Sequence, residues 1–184
     1  MKTVKKIIII FLIIFPSLAI GLNWQIFLPQ KRKDSTTKAD RILIEKSKRK
    51  LSLYAGKDLI KTYKISLGFT PLGHKLIEGD GKTPEGDYTI CYKNVNSQFH
   101  LSLKISYPNE NDLKRAARLG KSPGCDIMIH GTPSGSLSVL SKVPLFNWFL
   151  KKQDWTLGCI AVSNAEIEEI YRVVTIGTNV SILP

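Results

Sequence analysis

With 184 residues, the chain has room for one ordinary domain and an appendage. Its composition, 43% hydrophobic and 23% charged, excludes a disordered or collagen-like polymer. The formal net charge of +12 suits an anionic membrane face, an acidic polymer or nucleic acid, but the chain has no Arg-rich arm and no aromatic–basic interleaving, so no nucleic-acid partner is expected.

The N-terminus sets the compartment. Lys2, Lys5 and Lys6 precede an apolar run from Ile7 to Leu22, broken only by Pro16, Ser17 and Gly21. A basic region followed by such a run is an export pattern, and Ser17-Leu18-Ala19 offers small residues for cleavage after Ala19. Apolar character resumes through Trp24, Ile26, Phe27 and Leu28, so Ile7–Leu28 also reaches the roughly 20 residues needed to span a bilayer. Residues 1–28 are therefore expected to be a signal peptide or an N-terminal anchor in the inner membrane. Either reading delivers the rest of the chain to the periplasm or cell envelope. A buried helix of a cytosolic protein fits poorly, because the run is apolar on every face. Residues 29–40 are polar and lack periodicity, and read as a linker.

From Arg41 the pattern changes to short runs with period-two alternation. Strands are predicted over Ile42–Ile44, Lys50–Tyr54, Asp58–Leu67, Asp87–Tyr92, Phe99–Ser106, Asp126–Ile129 and Asn179–Leu183. Helices are few. Asn109–Leu119 is one, with Glu110 and Lys114 at i,i+4 and Gly120 as its stop. Leu137–Lys152 is mixed and interrupted by Pro144. After Ser163, an S-x-x-E capping box with Glu166 opens a helix whose apolar face is Ile167, Ile170, Tyr171 and Val174. The expected class is mostly β with peripheral helices, arranged as a sandwich or barrel.

Three cysteines, Cys91, Cys125 and Cys159, allow one bridge plus a free thiol, or three free thiols. Their spacing lacks the C-x-x-C of zinc or thioredoxin-like sites. Cys159 stands out because it follows the Thr156-Leu157-Gly158 turn and precedes the Ser163 helix start. Gly158 permits a sharp bend and close approach of a ligand, the helix N-terminus favours a thiolate, and the Gly158 and Cys159 amides are candidate oxyanion donors. A histidine, His130, ends the apolar run Ile127–Ile129. Thiol and imidazole together are the minimum equipment for covalent acyl transfer, with His130 as base and then acid. Its ring needs a third group, and a backbone carbonyl, Ser134 or Ser136 can serve. His74 and His100 read as structural or substrate-pocket residues. Gly79–Asp87 lacks the spacing of a phosphate loop and reads as a turn into the next strand.

The set Thr83-Pro84-Glu85-Gly86-Asp87-Tyr88, Ile129-His130-Gly131 and Thr156-Leu157-Gly158-Cys159 resembles the YkuD-type L,D-transpeptidase domain. The longer runs Gly73-His74-Lys75, Gly79–Tyr88, Ile105–Pro108, Ser122–Gly131 and Asp154–Glu166 are most similar to its YafK-like Gram-negative branch. The resemblance covers roughly residues 40–184 and makes 41–184 the catalytic domain. It implies a YkuD-like fold and a periplasmic enzyme on peptidoglycan stem peptides. Cys159 would attack the carbonyl joining meso-diaminopimelate to the terminal D-alanine, and the acyl group would pass to an amine or to water. Carried over by position, Cys159 is the nucleophile and His130 the base. Gly158, Thr156, Gly131 and His74 belong to the oxyanion and substrate region, and no metal or organic cofactor is implied. The chain departs from many members at Leu157, where they carry His, and at Ala161, where they carry Arg or Asn. It also carries a Leu-, Trp- and Phe-rich insertion between Gly131 and Leu157, with Phe146, Trp148 and Phe149, as a lid, a partner surface or a second small core. These departures keep open a same-fold hydrolase that trims stem peptides or releases a peptidoglycan-linked lipoprotein. An idle peptidoglycan-binding module, and a zinc hydrolase on His74, His100 and His130, are readings of other classes.

Overall fold

Strand β1 (Ala39–Glu45) buries Ile42 and Ile44 and leaves Arg41, Leu43 and Glu45 only partly covered, as period-two side chains must be, while a register shift between Ala39 and Arg41 brings Ala39 into the same core. The computed structural model describes residues 37–133 and 154–184. The signal or anchor, most of the linker, Ser134, Ser136, the Leu137–Lys152 stretch and the insertion aromatics lie outside the described residues. The strand begins two residues inside the predicted linker, because Ala39 already packs in the core.

Strands β2 (Lys50–Ala55) and β3 (Asp58–Lys64) continue the alternation in an antiparallel meander, with Ile44 opposite Leu51 and Leu51 opposite Tyr63. On the other flank of β1 runs the final strand β8 (Val174–Leu183), parallel to it, with Ile42 opposite Val180 and Ile44 opposite Ile182. Strand β4 (Gly86–Ser97) then serves two neighbours. Its first residues pair with β8, Tyr88 opposite Val180, and from Ile90 it pairs with β5 (His100–Ile105). The register shifts between Ile90 and Tyr92, and such an irregularity bends a strand and increases its twist. Two short strands complete the order β3-β2-β1-β8-β4-β5-β6-β7: β6 (Met128–His130), antiparallel to β5, and β7 (Ile160–Ala161), parallel to β6.

The sheet curls into a half-barrel. Chain leaving β3 reaches the opposite edge, where Ser66 and Ala161 exchange backbone hydrogen bonds at 2.9 Å each way and Gly68 bridges Thr156. This shortens the predicted strand 58–67, whose last residues pair across the closure.

Two helices flank the sheet. In α1 (Glu110–Arg118) Asn109 accepts from the Asn111 and Asp112 amides and Asp112 answers to the Asn109 amide, while Gly120 at φ +63° ends it. In α2 (Asn164–Val173) Ser163 and Glu166 form the predicted capping box, and Ile167, Ile170 and Val173 enter the core. Val174, read as helical, instead leads straight into β8, because its extended backbone ends the helix without a breaker residue. Among the described residues no helix is long and apolar enough to cross a membrane.

Candidate active site

The parallel register of β6 and β7, Ile129 opposite Ile160 and His130 opposite Ala161, decides where the two key side chains point. Ile129 and Ile160 are fully buried on the core side. Alternation therefore turns His130 and Cys159, one residue from each, to the opposite side of adjacent strands. The sulfur donates to the Asp126 carbonyl at 3.4 Å. Burial pushes its thiol above the ordinary range; the Met128 amide, hydrogen-bonding to the sulfur, draws it down, Asp126 raises it and Lys75 lowers it. The expectation that the α2 N-terminus would leave a ready thiolate is thus corrected: desolvation of the charged form prevails.

His130 is buried against Phe99, with ring centroids 4.5 Å apart, and against Trp155 at 5.8 Å. Its Nδ1 lies 2.7 Å from the Gly131 carbonyl oxygen. A carbonyl only accepts, so Nδ1 carries the proton and Nε2 presents the lone pair. Of the supports considered for the ring, the backbone carbonyl is in place; Ser134 and Ser136 lie outside the described residues. Burial depresses the imidazolium pKa to about 4, against the upward pull of that carbonyl. At neutral pH the resting pair is accordingly a neutral imidazole and a thiol. Gly131 is glycine for reasons of space: a Cβ there would strike Asn164 Oδ1 and lie 2.9 Å from the Phe99 carbonyl oxygen. Ser102, directly opposite His130 in the register, is a neighbour that sequence reasoning did not find.

The turn before Cys159 is tied by Thr156. Its Oγ1 accepts from the Gly158 amide at 3.1 Å and donates to the Cys159 carbonyl at 2.7 Å. The Gly158 amide is therefore committed to the turn, which corrects its expected place as an oxyanion donor. Gly158 sits at φ +128°, and a Cβ there would lie 2.6 Å from the Lys82 carbonyl oxygen. Gly158→Ala combines backbone strain with a clash against main chain, and is expected to destabilise the domain by about 2–4 kcal/mol. Gly56→Ala, with φ +58° and nothing within 4 Å, should show strain alone, about 1–2 kcal/mol. Urea unfolding of both variants measures the difference, and equal losses would remove the Lys82 contact from the account.

The loop from Gly68 to Glu85 lies against this turn. Buried Lys46 holds it by donating to the Gly73 carbonyl at 2.6 Å, the Thr83 carbonyl at 3.0 Å and Glu85 Oε1 at 2.7 Å. His74, expected at the substrate pocket or in the framework, takes the framework role. Its Nδ1 accepts from the Glu85 amide at 2.9 Å, and its Nε2 faces Asp112 at 3.1 Å and Arg115 at 3.2 Å. Both ring nitrogens are thus engaged with α1 and the loop. His100 meets Glu168 of α2 at 2.7 Å. His74, His100 and His130 keep separate partners, and among the described residues no three His, Cys, Asp or Glu side chains are grouped to hold a metal. All three cysteines are free thiols, with Cys91 and Cys125 exposed.

Residues 39–182 match the YkuD family, the L,D-transpeptidase catalytic domain, and the chain belongs to that family. YafK of Escherichia coli (strain K12) is 29% identical over 140 residues, covering 73% of this chain and 46% of that protein. The helical cell shape determining protein Pgp2 from Campylobacter jejuni superposes with a TM-score of 0.59 at 29% identity, over 80% of this chain and 48% of its own. An L,D-transpeptidase from Stackebrandtia nassauensis shares the fold at a TM-score of 0.52 and 10% identity, over 80% of this chain and 56% of its own. The chain spans about half the length of these relatives.

Proposed function

We propose that this domain is a cysteine acyltransferase of the cell envelope that acts on peptidoglycan stem peptides. The observation carrying this reading is the placement of Cys159 and the basic Nε2 of His130 on one side of two adjacent strands. The sulfur attacks the carbonyl between meso-diaminopimelate and D-alanine as His130 Nε2 takes the thiol proton. The Cys159 amide is the donor assigned to the oxyanion that forms. Collapse expels D-alanine, whose amine receives the proton from His130, and leaves a thioester. An amine acceptor, or water deprotonated by the same imidazole, then releases the acyl group. Thr156 and Gly131 act through the backbone they hold. No metal or organic cofactor takes part in this scheme. Residues 1–28 export the domain or anchor it to the inner membrane.

Hydrolysis is the second reading, and Leu157 favours it. This side chain is 78% exposed beside Gly158, where many family members place a histidine. An exposed aliphatic group offers an incoming amine neither a hydrogen bond nor a charge. Trimming of stem peptides, or release of a peptidoglycan-linked lipoprotein, would follow. Purified protein incubated with tetrapeptide muropeptides is expected to release D-alanine. Crosslinked dimers would establish transfer, tripeptides alone would establish hydrolysis, and unchanged muropeptides would leave an idle wall-binding module.

A further inference from the structure

Among the described residues, Ser102 Oγ is the buried side-chain polar atom left without a hydrogen-bond partner, and Ser102 is 1% exposed. A dry, unpaired hydroxyl destabilises a fold, and native structures hold few of them. Asn94 of β4 lies opposite it on one flank, but Asn94 Oδ1 accepts from the Asn96 amide at 2.9 Å. On the other flank Ser102 stands directly opposite His130 of β6. Directly opposite residues share a face of the sheet. The adjoining pair, Leu103 and Ile129, is fully buried in the core, so Ser102 and His130 both turn to the other side. The hydrogen-bond pattern brings them close. The Gly131 amide donates to the Leu101 carbonyl at 3.3 Å, and the Ile105 amide to the Ile127 carbonyl at 3.0 Å. Bonded pairs therefore fall at Leu101, Leu103 and Ile105 of β5. Ser102–His130 is a non-hydrogen-bonded pair, the kind whose Cα atoms approach to about 4.5 Å.

We propose that Ser102 is a positioning residue for the base: its uncommitted hydroxyl turns its oxygen toward His130 as the ring takes the Cys159 proton, and so stabilises the imidazolium. At rest the neutral ring makes no such demand, because Nδ1 donates to the Gly131 carbonyl and Nε2 carries a lone pair. Once protonated, the ring is a cation in a buried site, where a nearby dipole acts more strongly than in water. A hydroxyl without a partner is free to rotate toward it. The interaction is thus absent before proton transfer and present after it, which is the condition for lowering a barrier. Phe99 and Trp155, also packed on the ring, bring no charge, and β4 contributes the neutral Asn94. The ionisable groups on the neighbouring elements are Cys159 beside β7, His100 and Lys104 on β5, Asp126 before β6 and Glu168 on α2. His100 meets Glu168 at 2.7 Å and Lys104 meets Asp126 at 2.6 Å, so each of these four is already partnered. This inference rests on His130 being the base, as proposed above.

The test is the rate of Cys159 acylation by a carbapenem between about pH 3.5 and pH 8, followed by intact mass, beside the melting temperature. Ser102→Ala is expected to melt at or above the wild-type temperature, since it deletes an unpaired buried hydroxyl. Its plateau rate should fall about three- to tenfold, and the acid limb of its profile should move to lower pH by about half to one unit, both from the same loss of imidazolium stabilisation. Ser102→Thr, which keeps the hydroxyl, should recover both. In a His130→Gln background, Ser102→Ala should cost nothing further. A folded Ser102→Ala protein with the wild-type rate and acid limb would overturn the proposal. So would a lowered melting temperature with an unmoved acid limb, or an equal loss of rate in the His130→Gln background; each would detach the hydroxyl from the base. Absence of a wild-type adduct, or a His130→Gln protein that acylates as fast as wild type, would instead sink the reading of the site itself.

Discussion

Cys159→Ala protein is expected to fold as the wild type does, to form no covalent adduct with a carbapenem, and to turn over stem peptides at least about 10⁴-fold more slowly. The physical basis is a division of labour at the turn. The hydrogen bonds that shape it run through the Thr156 hydroxyl, the Gly158 amide and the Cys159 carbonyl, none of which the substitution touches. The sulfur contributes one long hydrogen bond to a carbonyl and part-buried packing, whose loss costs about 1 kcal/mol or less. Intact mass after carbapenem exposure, read beside a thermal melt, checks both halves. A variant that fails to fold would make the thiol a core group, and an adduct persisting at Cys91 or Cys125 would move the chemistry elsewhere.

His130→Gln is expected to bind substrate but to slow acylation by about 10²–10⁴-fold, the usual worth of a positioned base. Since burial holds the imidazolium pKa near 4, the acid limb of wild-type acylation should lie near pH 4 to 5, well below that of an exposed histidine. The same depression has a stability consequence. Between the unfolded pKa of about 6.5 and the folded value of about 4, the unfolded chain takes up a proton that the folded chain refuses. Stability is therefore intact above about pH 6.5 and is lost progressively as pH falls toward 4, by about 3 kcal/mol from this residue. Urea midpoints across that window should fall more steeply for wild type than for His130→Gln. Parallel slopes would mean that the ring titrates like an exposed one, and would undo the argument from its aromatic surroundings.

How far the sequence announced this structure depended on the range of the interaction. Alternation marked the meander β1–β3, where one face meets one core; the start of α2 was legible because a capping box is a contact over three residues, and α1 was marked by its i,i+4 charge pair and its glycine stop, while its own box of Asn109 and Asp112 went unread. Strand β7 escaped notice because two residues cannot show a period. Its existence depends on Ser66, far away in the chain, supplying the other edge. The extent of β8 was hidden for a similar reason: helix and strand meet at Val174 without punctuation, and an apolar residue there suits either. At the site, His130 and Cys159 were readable as chemistry-bearing types next to turns. Which amides were free was not, since Thr156 reaches Gly158 only once the turn has closed. Lys75 was invisible as a buried charge, because a lysine in a Gly- and Asp-rich loop ordinarily faces water, whereas here Asp80 and the Ile77 carbonyl take its ammonium.

The chain on either side of residues 134–153 is fastened separately to the body of the domain. Before it, the Thr132 amide and hydroxyl both donate to Asn164 Oδ1, at 2.8 and 3.0 Å. After it, Asp154 receives the Arg49 guanidinium at 2.7 Å and the Leu67 amide at 2.9 Å. Both moorings are made to the body of the domain, and doubling a connecting length costs only about 0.6 kcal/mol of closure entropy. The two fastenings hold the ends of β6 and of the Thr156 turn by bonds made within the domain body, so imidazole and thiol are each anchored close to where their strand begins or ends.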